Sequence, residues 1–211
     1  LGDLEGTSIG NYLHGMHFLD SAMGNFVGML QDEELLNETV IAFWGDHGAG
    51  LPWDYAMGDL LGIRPTEPMF YRVSEVPVLI SIGGGSSAFG ERDMPCGQVD
   101  LAPTLLGLLG IDASPYPFVG RNLFGNPGEG PVMGQYTVWF DDEHLYLDKG
   151  PELEAGRCYR TDSLQIVPVE RCREGEMRAK ETMQISRDVI LHDLHVPIAR
   201  HLSRSDRPPD E

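Results

Sequence analysis

Hydrophobic residues recur at intervals of three and four along the start of the chain. This spacing places them on one face of a helix, so it predicts an amphipathic helix over residues 9–30. His17 and Asp20 fall at the edge of the apolar stripe, where we expect packed residues that bond each other or brace a loop, and His14 is expected in solvent. The stripe consists of Ile9, Leu13, Met16, Leu19, Met23, Phe26, Val27 and Leu30.

Two short apolar runs predict buried strands of an α/β sheet, at residues 39–44 and 76–82. The second run is followed by a glycine-rich stretch at residues 83–87. A phosphate-binding loop is one interpretation, but the P-loop lysine motif is missing, and an ordinary surface loop is favoured.

A third apolar segment, residues 98–111, has the boundary signals of a buried helix. Asp100 suits the N-cap, Pro103 is tolerated in the first turn, and Gly110 suits the C-terminal stop. We interpret this helix as a packing element.

The last third of the chain changes character. Residues 135–140 and 143–147 alternate in hydrophobicity around Asp141 and Asp142, which predicts a β-hairpin with an acidic turn. His144 could be a ligand, but on such a hairpin an exposed position is favoured. Residues 170–201 form a charged, mainly helical segment.

The first strand stops on Gly45-Asp46-His47-Gly48, a pattern typical of a metal site. At the carboxyl end of a strand, loop residues are held by a rigid scaffold and face an open crevice. The flanking glycines leave room for an ion and a phosphate or sulfate group. The alternative is a plain turn, in which Asp46 caps a backbone N–H and His47 is partly exposed.

The formal net charge of −18 argues against binding to nucleic acid and against docking on anionic lipid through this part of the protein's surface. An anionic substrate would still need local positive charge, and Arg64, Arg72 and Arg121 are candidates that surface salt bridges explain equally well. No apolar run approaches the length of about 18 residues that a membrane span needs.

The cysteines leave two possibilities open. Cys158 and Cys172 flank a strand-like run at residues 164–169 and would pair outside the cytoplasm, leaving Cys96 free. Alternatively, all three are free thiols, which are common in protein interiors.

Several motifs, in this order, resemble the sulfatase and alkaline-phosphatase superfamily, and within it the lipoteichoic acid synthases and related phosphoglycerol transferases. The helix ending near residues 186–194 is similar to the one that closes their catalytic domain. The other motifs are NYL with HFLD in residues 11–20, VIAFWGDHG at 40–48, VPVLI at 76–80, QVDLAPTLL at 98–106 and GRNLF at 120–124.

The resemblance implies the carboxyl-terminal half of a three-layer α/β/α alkaline-phosphatase-like domain, with a small antiparallel hairpin region and a closing C-terminal helix. It makes Asp46 and His47 metal ligands and assigns the other ligands and a threonine nucleophile to a preceding half outside this chain. The expected ion is manganese, with magnesium, zinc and calcium as alternatives. The sulfatase signature C/S-x-P/A-x-R follows none of the three cysteines.

By the same resemblance, the parent enzyme transfers phosphoglycerol from a lipid donor at the extracytoplasmic face of a bacterial plasma membrane, to which a preceding segment anchors it. The alternatives are a sulfatase or phosphodiesterase acting on a soluble ester, or a non-catalytic fragment. The isolated half would be inactive and, with apolar surface and a strand edge exposed, marginally stable or dimeric.

The predicted organisation has three parts. Residues 1–150 form the half-domain, residues 151–203 extend it with the closing helix, and residues 204–211 form a flexible tail.

Overall fold

The computed structural model describes residues 2–52, 55–83, 90–125, 130–134 and 138–205. The chain divides into two compact units, residues 1–92 and 93–211. The predicted division at residue 150 stays a prediction, and residues on both sides of it belong to the second unit. The last helix continues through Ser205, and the remainder of the predicted tail lies outside the described residues.

The first unit consists of helices and a small sheet. The predicted first helix is confirmed, and Thr7 caps it, because its Oγ1 accepts a hydrogen bond of 3.0 Å from the Gly10 amide. The elements are α1 (Ser8–Asp32), β1 (Val40–Trp44), α2 (Tyr55–Leu61), α3 (Glu67–Val73) and β2 (Val78–Ile82).

Both predicted strands of this unit are present and pair with each other, but the prediction that they are buried is wrong, since neither contains a fully buried residue and Leu79 is 63% accessible. Among the described residues, β1 and β2 form a two-stranded antiparallel sheet in which Val40 lies opposite Ile82 and Trp44 opposite Val78. The carboxyl end of β1 therefore lies beside the segment that leads into β2. Residues 84–89 of the predicted glycine-rich loop lie outside the described residues.

Helix α1 exposes much of its predicted apolar stripe. Met16, Leu19 and Phe26 of the stripe are exposed, and the neighbouring Phe18 and Met29 are 76% and 65% accessible. The prediction that His17 and Asp20 are packed is wrong, because both side chains are exposed; His14 is exposed as expected. An apolar stripe predicts packed neighbours only where a partner covers the helix, and most of α1 has none within the described residues.

The second unit is built on an antiparallel sheet. Five described strands follow each other in sequence order, and the predicted hairpin is confirmed as β4 and β5, although residues 135–137 lie outside the described residues. The elements are α4 (Leu101–Leu108), β3 (Val132–Met133), β4 (Val138–Phe140), β5 (His144–Leu147), β6 (Arg157–Arg160), β7 (Ile166–Val167), α5 (Arg173–Leu191) and α6 (His195–Ser205).

The exposed position predicted for His144 is wrong. Its side chain is only 17% accessible, because its strand position lies opposite Arg160 inside the sheet. The charged helical segment predicted after residue 170 is confirmed as α5 and α6.

Cys158 and Cys172 are joined by a disulfide inside the core of this unit, and Cys96 is not part of a disulfide. The bond links β6 to the start of α5, and both half-cystines are fully buried. Of the two possibilities left open by the sequence, the structure shows the paired one. The core around the disulfide contains Trp139, Tyr146, Leu153 and Ala179.

Candidate metal centre

The segment Gly45-Asp46-His47-Gly48 leaves β1 at its carboxyl end and runs beside the approach to β2. The Gly45 amide donates a hydrogen bond of 3.1 Å to the carbonyl of Pro77, which extends the strand pairing by one residue. Asp46 is thus the first residue beyond the sheet, as the sequence predicts.

Both glycines of this segment are needed for close packing against the neighbouring chain. A Cβ at position 45 would lie 2.6 Å from the Cβ of Val76, and one at position 48 would lie 3.1 Å from the carbonyl oxygen of Ser74. The glycines let the loop pass close to residues 74–76 and so fix its path. That they also leave room for an ion and a phosphate beside Asp46 and His47 stays a prediction.

The side chains of Asp46 and His47 lie next to each other in solvent. Asp46 Oδ2 is 3.4 Å from His47 Nε2, and the two side chains are 84% and 70% accessible. Asp46 Oδ1 accepts a hydrogen bond of 2.9 Å from the His47 amide, so the carboxylate also caps the turn. One carboxylate therefore serves both interpretations of the sequence. Oδ1 caps the turn, and Oδ2 lies beside the imidazole, as a ligand pair requires.

The ring orientation of His47 follows from its other nitrogen. Nδ1 lies 2.9 Å from the carbonyl oxygen of Gly48, and because a carbonyl can only accept, Nδ1 carries the hydrogen. In the neutral imidazole, Nε2 then presents a lone pair beside the Asp46 carboxylate. A backbone carbonyl that fixes the tautomer in this way is the usual support of a metal-binding histidine.

The two side chains fit a divalent ion as part of a site. Asp46 Oδ2 and His47 Nε2 are 3.4 Å apart, so both would reach one bound divalent ion. One carboxylate oxygen and one neutral imidazole nitrogen suit manganese or zinc. In the part of the chain that the structure describes, no group of three or more His, Cys, Asp or Glu side chains could hold a metal.

The three candidate arginines differ in their surroundings. Arg72 forms an exposed ion pair of 2.9 Å with Glu75, and Arg64 is exposed. Arg121 belongs to the second unit, where its guanidinium donates to the carbonyl of Pro95 at 3.1 Å and lies 3.9 Å from Asp100. For Arg72 and Arg121, the salt-bridge alternative describes what the structure shows.

The motifs at residues 98–106 and 120–124 of the second unit are joined by a contact that the sequence did not reveal. The buried Asp100 carboxylate accepts hydrogen bonds from the amides of Gly97 at 2.9 Å and Arg121 at 2.7 Å. It therefore joins the start of α4 to residues 120–124 as well as capping its own turn. The sequence signal for this contact was Gly120, because a Cβ at that position would lie 1.9 Å from the carbonyl oxygen of Val99.

A buried polar group in the second unit also escaped the sequence analysis. Trp139 Nε1 donates a hydrogen bond of 2.7 Å to Glu176 Oε2, and Lys180 Nζ lies 2.9 Å from Oε1 of the same carboxylate. Burial, followed by the nearby charge of Glu176, raises the pKa of Tyr146 to about 12. The bond from Trp139 to Glu176 joins the sheet to α5, whereas Glu176 Oε1 is buried with only its ion pair to Lys180, and the Tyr146 hydroxyl donates to the carbonyl of Leu153 at 3.0 Å.

None of the helices in the described ranges is both long and apolar enough to cross a bilayer.

The chain is similar to lipoteichoic acid synthases of known sequence. It is 25% identical to the lipoteichoic acid synthase of Staphylococcus aureus strain USA300 over 190 residues, which cover 89% of this chain and 28% of that protein. The enzyme from strain NCTC 8325 gives the same values. The chain thus spans little more than a quarter of the length of these relatives.

A solved structure shares the fold. The crystal structure of the lipoteichoic acid synthase LtaP from Listeria monocytogenes matches with a TM-score of 0.74 and 22% sequence identity, over 90% of this chain and 48% of that one. This likeness confirms the predicted α/β fold of the alkaline-phosphatase type.

The family itself follows from a third finding. The model of the sulfatase family matches residues 3–111, which include α1, both strands of the first unit, the Asp46–His47 pair and α4. The predicted resemblance is confirmed, and the chain belongs to the sulfatase family.

Proposed function

We propose that this chain supplies two ligands, Asp46 and His47, to the divalent metal site of an enzyme that transfers phosphoglycerol from a lipid donor. In this proposal the nucleophile is a threonine, and it lies outside residues 1–211 together with the remaining metal ligands. Sequence outside the chain is available for them in the relatives, since the match spans only 28% of their length.

The observation that carries the proposal is the geometry of the ligand pair. Asp46 Oδ2 and His47 Nε2 lie 3.4 Å apart, while Gly48 holds the hydrogen on Nδ1. In the neutral state both facing atoms are acceptors, so a cation between them would relieve their mutual repulsion. A simple turn requires only the Oδ1 bond to the His47 amide, and an ion pair of the carboxylate with a protonated imidazole is the alternative explanation of the second pair of atoms.

Each ligand has its own role in the proposed site. Asp46 would bind through Oδ2, since Oδ1 is engaged by the backbone and holds the carboxylate in position. His47 would bind through Nε2, with its ring oriented by Gly48. A divalent ion, which enzymes of this family generally use, lowers the pKa of a coordinated hydroxyl and neutralises charge on a phosphoryl or sulfuryl group.

Manganese is the ion we propose, with magnesium, zinc and calcium as alternatives. A mixed oxygen and nitrogen pair favours manganese or zinc over calcium, which prefers oxygen ligands alone.

The proposed substrate class rests on the relatives. The substrate would be an anionic phosphate ester carried on a lipid, because the similar proteins are lipoteichoic acid synthases and the match covers 89% of this chain. A sulfatase or phosphodiesterase acting on a soluble ester is the second candidate, and the match to the sulfatase family model favours it. The identity of the nucleophile distinguishes the two.

We place the enzyme on the extracytoplasmic side of a bacterial plasma membrane, anchored through a segment outside this chain. The disulfide between Cys158 and Cys172 supports this location, because such bonds persist in oxidising compartments and are rare in the cytoplasm.

The proposal is tested on the complete protein that the source gene encodes. Hydrolysis of a chromogenic phosphodiester is measured with added manganese for the wild type, Asp46→Asn, His47→Gln and the control Asp59→Asn, which changes an exposed carboxylate on α2. We expect both ligand variants to lose at least a hundredfold in kcat/KM, and the control to keep wild-type activity. Equal activity in all four proteins would refute the assignment of the ligands.

The same gene decides between the two candidate functions. A threonine at the nucleophile position supports phosphoglycerol transfer, whereas a C/S-x-P/A-x-R motif supports a sulfatase. The isolated chain, with two ligands and no nucleophile, is expected to show no turnover of the diester, and turnover that depends on Asp46 would contradict the proposal.

A further inference from the structure

The ligand pair lies between two contacts with one short segment of chain, residues 74–76, which joins α3 to β2. On one side of the pair, a Cβ at Gly45 would lie 2.6 Å from the Cβ of Val76. On the other side, a Cβ at Gly48 would lie 3.1 Å from the carbonyl oxygen of Ser74. Neither glycine has a positive φ, so the closeness of the neighbouring segment, and not the backbone conformation, requires glycine at both positions.

The contact at Gly48 bears directly on the orientation of His47. The carbonyl oxygen of Gly48 lies 2.9 Å from His47 Nδ1, which keeps the hydrogen on Nδ1 and leaves Nε2 to face Asp46. The Cα of Gly48 packs against Ser74, since a Cβ at position 48 would also lie 3.3 Å from the Cβ of Ser74 and 3.4 Å from its Cα. A shift of Gly48 would therefore move the carbonyl that holds the imidazole.

Ser74 is itself fixed by the end of α3. Its amide donates a hydrogen bond of 3.2 Å to the carbonyl of Tyr71, and its Oγ donates one of 2.7 Å to the carbonyl of Phe70. Phe70 is one of the last four residues of the helix, whose carbonyls lack a regular helical partner. The hydroxyl of Ser74 thus fills a vacant acceptor and ties the residue to the helix end.

We propose that Ser74 is a positioning residue for the metal ligand His47. It supports the backbone of Gly48, whose carbonyl sets the tautomer and the ring orientation of the imidazole. The inference rests on the proposed function, because it concerns the same metal site. Loss of the group that orients a metal-binding histidine lowers metal affinity by about 10–100-fold, and Ser74 acts on that group from one contact further out.

The first test measures the dissociation constant for manganese by titration calorimetry, on the complete protein that the source gene encodes. Gly48→Ala pushes the loop away from Ser74, and we expect it to weaken binding about tenfold or more. Ser74→Ala removes only the bond to Phe70, and we expect a loss of about fivefold.

Two matched variants serve as controls for this titration. Ser74→Thr keeps the hydroxyl that bonds the carbonyl of Phe70. Gly90→Ala adds a methyl group to a loop glycine that has no other atom within 4 Å of the new position. Both should bind manganese as the wild type does, and circular dichroism checks that every variant keeps its fold.

A spectroscopic measurement separates positioning from a general loss of stability. In chelator-treated protein with nitrogen-15 in its histidines, long-range nitrogen–proton correlations at about pH 9, above the ordinary pKa of histidine, show which imidazole nitrogen carries the hydrogen. The signals of His47 are those missing from His47→Gln. We expect hydrogen on Nδ1 in the wild type, and a share of the form with hydrogen on Nε2 in Ser74→Ala and Gly48→Ala. A variant that is merely less stable would keep the wild-type pattern.

Three results have separate meanings. If Ser74→Ala matches the wild type in manganese affinity and in the His47 signals, the inference is overturned, even where Gly48→Ala is impaired. If Ser74→Thr loses as much affinity as Ser74→Ala, the hydroxyl does not hold the segment and the inference is also overturned. If Asp46→Asn and His47→Gln bind manganese as tightly as the wild type, the proposed function fails, and the inference fails with it.

Discussion

Thr104 provides a sharp test of how residues 120–124 are held against α4. Its side chain is fully buried, and Oγ1 accepts a hydrogen bond of 3.0 Å from the Leu123 amide while donating one of 3.3 Å to the carbonyl of Arg121. Thr104→Val keeps the shape of the side chain but removes both bonds. The Leu123 amide is then buried without this acceptor.

The expected cost follows from those two bonds. An intramolecular hydrogen bond contributes about 1 kcal/mol to stability, so we expect the loss of both bonds in Thr104→Val to lower the free energy of unfolding by about 2 kcal/mol. Thr104→Ser is the matched control, because it keeps the hydroxyl and loses only a buried methyl group, which is worth about 1 kcal/mol.

Urea denaturation followed by circular dichroism measures both changes. If Thr104→Val is as stable as the wild type to within about 0.3 kcal/mol, or if Thr104→Ser is the more damaging variant, the hydrogen bonds do not hold this segment. In that case the packing of the methyl group would be the dominant contribution.

Three further predictions concern the core and the exposed surface. Reduction of the Cys158–Cys172 disulfide, which closes a loop of 14 residues, should lower the free energy of unfolding by about 3 kcal/mol. Urea denaturation with and without dithiothreitol measures this loss of stability, and Cys96→Ser should leave its size unchanged. Because the pKa of Tyr146 is raised to about 12, the unfolded chain loses this proton near pH 10 while the folded chain retains it, so stability should fall between pH 10 and 12. Tyr146→Phe should make that fall shallower, and an unchanged pH profile would count against the assignment. The isolated chain should self-associate or melt at low temperature because of its exposed apolar surface, and a monodisperse, high-melting monomer in sedimentation and thermal unfolding would contradict this.

Local signals were sufficient for the elements but not for their pairing. Periodicity and turn residues located α1, β1, β2, α4 and the β4–β5 hairpin, because each depends on neighbours in sequence. The antiparallel pairing of β1 with β2 joins residues about 40 positions apart, and an apolar run carries no information about the direction of its partner. The bond between Trp139 and Glu176 spans 37 positions and was missed for the same reason.

The Asp46–His47 pair illustrates the same limit within a site. Its residue types and its position after a strand were readable, since both depend on a short segment. The close packing of the flanking glycines was not readable, because their neighbours, Ser74 and Val76, come from a distant part of the chain. The sequence showed that small residues are required there, but the structure was needed to show which chain they approach.

Two features of the first unit have one explanation under the proposed function. The pair of ligands is too few for a tight metal site, and within the described ranges no third acidic, histidine or cysteine side chain joins it. In the same unit, α1 exposes Phe18, Phe26 and Met29, and β1 and β2 pair with no other described strand. Exposed aromatic residues and strand edges are costly in a finished domain. A further part of the same catalytic domain that covered α1 and brought the remaining ligands to Asp46 and His47 would satisfy both needs at once. A second copy of this chain would cover apolar surface but would contribute only the same two ligand types. The incomplete set of metal ligands therefore favours a further part of the catalytic domain over a second copy of the chain.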